Sequence, residues 1–114
     1  MNSLPLAPLK YRHSILVVDD EDVIRDITRS ILEECGYQVV VAENGLVGLD
    51  IYRADYRKID LVLLDIVMPK LSGKETFQEM IRINPAAKIL VASGFKQDER
   101  VRDILNKGAV GFIQ

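Results

Sequence analysis

The 114-residue chain predicts an α/β domain, a doubly wound five-stranded parallel sheet in the order 2-1-3-4-5. Three observations predict it. Five short runs of Val, Ile and Leu are nearly continuous, as in parallel strands buried on both faces. Segments of helical period stand between these runs, giving β-α-β-α-β-α-β-α-β with right-handed crossovers and helices on both faces of the sheet. The composition, 48% hydrophobic and 28% charged, is that of an ordinary globular domain, and the length leaves no room for a second one.

The elements follow in order. Residues 1–13 carry Pro5 and Pro8 without sustained periodicity and read as a leader or linker. Strand candidates lie at 15–19, 37–42, 60–65, 88–92 and 110–113. In a helix of about 21–34, Val23, Ile27 and Ile31 recur at i, i+4 and i+8 with Ile24 beside them, forming one apolar face. Gly36 is placed to terminate it, and Cys35 reads as a small buried apolar residue. A second helix spans about 45–56, weakened by Gly45 and Gly48. Phe77, Met80 and Ile81 mark a third. It is entered through Ser72, whose spacing to Glu75 resembles a capping box, and ended by Pro85. Val101, Ile104 and Leu105 mark a fourth, closed by Gly108. The chain stops at Gln114, directly after the fifth strand, so the final helix is expected to be missing.

Fifteen Lys and Arg against seventeen Asp and Glu leave a net charge of −2, without the basic footprint of a nucleic-acid or anionic-membrane binder. Apolar stretches such as Ile15-Leu16-Val17-Val18 fall far short of the ~20 residues that span a bilayer. No secretory signal is visible, and the expected location is the cytoplasm. A single cysteine excludes an internal disulfide, and no Cys/His cluster suggests zinc. His13 reads as a solvated linker residue.

Doubly wound sheets bind ligands beyond the carboxyl ends of their strands, where the strand order reverses. The first strand ends on Asp19, followed by Asp20, Glu21 and Asp22; the third ends on Asp65 and the fourth on Ser93. The order 2-1-3-4-5 makes strands 1 and 3 neighbours, which gathers Asp19, Asp20 and Asp65. Singly, each acid has an ordinary use as a helix cap or turn residue. Together they repel, and a hard cation such as Mg²⁺ relieves that conflict with oxygen ligands. Such a site suits phosphoryl transfer, with a carboxylate as nucleophile and the Ser93 hydroxyl bonding a phosphoryl oxygen.

The strings Ile15-Leu-Val-Val-Asp-Asp-Glu21, Asp60-Leu-Val-Leu-Leu-Asp-Ile-Val-Met-Pro-Lys-Leu-Ser-Gly73, Lys88-Ile-Leu-Val-Ala-Ser-Gly94 and Gly108-Ala-Val-Gly-Phe-Ile113 resemble the receiver domains of two-component response regulators. Receivers of hybrid sensor kinases are similar too. The resemblance covers about 14–114 and implies a flavodoxin-like receiver domain, truncated after strand 5. It implies that Asp65 is a stoichiometric phosphoacceptor rather than part of an enzyme, charged by a phosphohistidine of a sensor histidine kinase or phosphotransfer protein. Asp19, Asp20 and Asp65 would hold Mg²⁺, helped by the backbone carbonyl of Val67. Ser93 would be the switch hydroxyl and Phe112 the aromatic switch residue.

One departure stands out. The family's lysine after the fifth strand would be the next residue after Gln114. The missing helix predicts an apolar patch on the strand 5 side, suited to pairing with a second copy. The competing readings are a Mg²⁺-dependent phosphatase with an aspartyl nucleophile, an FMN protein, and a degenerate receiver acting only as an interaction module. The phosphatase of haloacid-dehalogenase type needs an acid two residues after its nucleophile, where this chain has Val67. The FMN protein needs a phosphate-cradling first loop, where this chain has Asp20-Glu21-Asp22.

Overall fold

Residues 13–65, 72–92 and 111–113 are described by the computed structural model. They form strands β1 (Ser14–Val18), β2 (Gln38–Ala42), β3 (Leu61–Asp65), β4 (Ile89–Ala92) and β5 (Gly111–Ile113). The helices are α1 (Asp22–Glu34), α2 (Gly45–Asp55), continued by a 3₁₀ turn at Tyr56–Lys58, and α3 (Gly73–Ile83). All strands are parallel in the order β2-β1-β3-β4-β5, as the sequence predicts. The fourth predicted helix, Ser93 and Val67 lie outside the described residues, as do the side chains of the strand 5 patch.

Alternate strand residues serve two cores. Leu16, Val18, Val62, Leu64, Ile89 and Val91 are buried on the face covered by α2 and α3, against Leu49, Tyr52, Phe77 and Met80. Ile15, Val17 and Val39 pack with Leu32 of α1 on the other face. Both faces are apolar, which is why the strands read as unbroken hydrophobic runs.

Local signals set the helix ends. Gly36 adopts φ 97°, its N–H donates to the Glu33 carbonyl (3.0 Å), and the Tyr37 N–H donates to the Leu32 carbonyl (3.1 Å). This is the paired bonding of a left-handed C-terminal cap, which glycine enters without a Cβ penalty. Ser72 Oγ accepts the Glu75 N–H at 3.2 Å and donates to Glu75 Oε1 at 3.0 Å, so Glu75 closes on the hydroxyl. At α2, Asn44 Oδ1 accepts the Val47 N–H at 2.9 Å. Asn44 is buried, and Asn44→Ala is expected to cost about 1 kcal/mol, read as a lower urea midpoint at unchanged m-value. Gly48 has a packing reason: a Cβ there would lie 2.9 Å from Val18 Cγ2, so α2 seats directly on β1.

Two expectations are corrected. Cys35 is exposed rather than buried, because it sits at the α1 C-cap beyond the turn that touches the sheet. The apolar stripe of α1 does not coincide with the face turned to the sheet. Val23, Ile27 and Ile31 are more than half exposed, whereas Arg25, Thr28 and Leu32 are partly buried. Arg25 takes its place on the inner side of α1, where its guanidinium donates to the backbone at the end of β1.

Candidate metal and phosphoacceptor site

β1 and β3 lie side by side, and the strand order reverses between them. Their carboxyl ends therefore open a crevice of the kind in which doubly wound sheets bind ligands. In register, Val18 stands opposite Leu64, so Asp19 and Asp65 follow at the same level of adjacent strands. Among the described residues, carboxylate oxygens of Asp19, Asp20 and Asp65 all lie within 4.8 Å of one another. Asp19 and Asp65 are partly buried, and Asp20 is exposed.

The loop after β1 fixes these acids. The Asp19 N–H donates to the Ala42 carbonyl at 3.1 Å, which ties the loop to β2. Asp19 Oδ1 accepts the Glu21 N–H at 2.9 Å, folding the loop back toward α1. Glu21 is the N-cap of α1 but makes no side-chain cap bond, so the ordinary capping use of this acidic run is not what holds it. Arg25 Nη1 donates to the Asp19 carbonyl at 2.7 Å, and the same guanidinium pairs with Asp22. Sequence reading missed Arg25. The available signal was a cation three residues after Asp22, one helical turn into α1.

Burial raises the Asp19 carboxyl above its ordinary value of 3.8. The Glu21 N–H opposes that shift, Asp20 reinforces it, and Arg25 opposes it. A partly desolvated carboxylate held next to two others fits a small divalent cation, which offers opposite charge and accepts several oxygen ligands. Asp19, Asp20 and Asp65 are thus brought together as expected. Phe112 lies in β5, opposite Val91 of β4.

Residues 15–114 match the response regulator receiver domain family. The chain is 37% identical over 100 residues to the chemotaxis protein CheY of Listeria monocytogenes, covering 87% of this chain and 82% of that protein. A receiver domain structure from Clostridium thermocellum superimposes with a TM-score of 0.85 at 31% identity, covering 89% of this chain and 80% of its own. The response regulator TrrA of Thermotoga maritima, solved with Mg²⁺ and beryllium fluoride, gives a TM-score of 0.79 at 35% identity, covering 89% and 84%. A family match across nearly all of the chain, a flavodoxin-like sheet in the expected order and a cluster of acids at its switch point agree. The chain belongs to the response regulator receiver domains, the phosphoacceptor modules of CheY type.

Proposed function

We propose that this receiver takes a phosphoryl group onto Asp65 from a phosphohistidine of a sensor histidine kinase or phosphotransfer protein. Mg²⁺ would be held by Asp19, Asp20 and Asp65. The observation that carries the reading is the meeting of three carboxylates within 4.8 Å at the switch point. Mg²⁺, when bound, supplies positive charge for the oxygens of the transferring group. A carboxylate oxygen of Asp65 forms the new bond to phosphorus. The P–N bond breaks as it forms, and the imidazole nitrogen keeps the electron pair. Asp19 is held in place for its role by the Glu21 N–H and by Arg25 on its carbonyl.

The same reading gives the Val67 carbonyl to the metal, Ser93 the role of switch hydroxyl and Phe112 that of aromatic switch. Residues 14–114 would act as one stoichiometric unit in the cytoplasm. The test is incubation with acetyl phosphate, with and without Mg²⁺, followed by intact-protein mass spectrometry. A Mg²⁺-dependent gain of one phosphoryl group that maps to Asp65 is expected. An unchanged mass in Mg²⁺ would leave a degenerate receiver that serves only as an interaction module.

Asp19 also makes the metal-free stability depend on pH. Its folded pKa lies above 3.8, so the folded protein holds this proton more tightly than the unfolded chain does. The contribution favours folding below that value, is lost as pH rises through the raised pKa, and opposes folding at neutral pH. Asp19→Asn is therefore expected to raise the melting temperature of metal-free protein at pH 7. Wild type should gain about 2.7 kcal/mol when Mg²⁺ is a hundredfold above Kd, and the variant should lose most of that gain. The gain should fade as pH falls into the carboxylate range, where protons compete with the metal. Calorimetry with EDTA and with Mg²⁺ reads both; a lower metal-free melting temperature for the variant would refute the assignment.

A further inference from the structure

At the opposite end of the sheet, a cavity of about 490 Å³ opens between the C-terminal ends of α2 and α3 and the residues that lead into β3 and β4. We propose that this cavity binds a small oxyanion, a carboxylate or phosphate, at a site separate from the acidic cluster. Tyr52, only 1% exposed, lines it. Asn84 Oδ1 accepts the Ala86 N–H at 3.1 Å, which fixes the amide so that Nδ2 donates to the Tyr52 hydroxyl at 3.1 Å. That bond uses the hydroxyl as an acceptor. The hydroxyl's own hydrogen has no acceptor among the described residues, and leaving it unsatisfied would cost about 1–3 kcal/mol. Burial raises the Tyr52 pKa above 10.0, although the Asn84 bond opposes this, so the phenol remains a donor at neutral pH.

The rest of the lining is also rich in donors. Lys88 has no ion pair among the described residues. Arg57 lies over the Tyr56 ring at 5.6 Å, a face contact that leaves its N–H edges for other acceptors. Asp60 is the carboxylate in this lining, and it is already engaged: its Oδ2 accepts the Ser14 N–H at 2.7 Å and lies 3.6 Å from His13 Nδ1. A buried hydroxyl with its hydrogen to give, flanked by an ammonium and a guanidinium, calls for a ligand that accepts hydrogen bonds and carries negative charge. The cavity reaches β3 at Val62, three residues and about 10 Å along the strand from Asp65, which lies at the other end of β3.

The test is an amide NMR titration of the whole chain in EDTA, with sodium phosphate in one arm and sodium acetate in the other. Sodium chloride of equal ionic strength serves as reference. Saturable shifts at Asn84 and Lys88 with either anion support the site, and the arm that saturates identifies the source. Tyr52→Phe and Lys88→Met should each weaken binding by about tenfold. Lys88 is exposed, so its replacement tests the site without threatening the fold. Asp65→Asn should bind as wild type does. Shifts that never saturate, full affinity in both cavity variants, or loss of binding in Asp65→Asn would each overturn the proposal.

Discussion

Asp65→Asn is expected to reduce acetyl phosphate-dependent modification by at least about a thousandfold, while the protein keeps its fold. The carboxylate is the nucleophile in this reading, and an amide of nearly the same shape offers no comparable electron pair to phosphorus. Asp65 ends β3 with Ala92 of β4 opposite in register, so the backbone that presents it belongs to the sheet. Asp20→Asn provides the contrast. Asp20 is exposed and removes one of three carboxylates, so modification should persist at saturating Mg²⁺ with a higher metal requirement. Phosphorylation measured against Mg²⁺ concentration separates the two. If Asp65→Asn were modified as fast as wild type, the nucleophile would have to be another residue.

Phe77→Ala is the substitution with the largest expected effect on stability. Phe77 is 1% exposed and packs in the larger core with Met80 (0%), against strands whose inward residues are themselves fully buried. Truncation removes the transfer energy of the ring and leaves a void, together about 3–5 kcal/mol. Domains of this size have only about 5–15 kcal/mol of stability, so a large share of it goes. Ile27→Ser on α1 is the matched control. Ile27 is also a large apolar residue, but it is 52% exposed, and its replacement should stay within about 0.5 kcal/mol. Urea denaturation of the two variants reads the difference directly; equal midpoints would refute the two-core description.

That contrast also shows what the sequence made legible. The strands could be read within a residue or so, because Leu16, Val18, Val62 and Leu64 face one core while Ile15 and Val17 face the other, and the resulting run is apolar without a gap. The acidic site was legible because each of its acids ends or follows a strand, and strand order alone then decides which acids meet. The orientation of α1 was not legible. Periodicity reports that Val23, Ile27 and Ile31 share a stripe, but not that this stripe stays exposed while Arg25 reaches the Asp19 carbonyl on the inner side. Cys35 was misplaced for the same reason: its depth depends on where α1 stops touching the sheet. The Tyr52–Asn84 bond joins residues 32 positions apart, one in α2 and the other at the C-cap of α3, and no local pattern announces such a partnership.

The full burial of Leu16, Val18, Val62 and Leu64 has a mechanical consequence. β1 and β3 form a stiff floor whose amides should exchange with solvent only when the whole domain opens. A change of charge at Asp65 therefore finds no give beneath it. Under the proposed function, any displacement it causes is passed to residues beyond the carboxyl ends of the strands rather than down into the sheet. In that reading, an event at one carboxylate would reach the rim of the domain, where another protein can bind, before it reached the core.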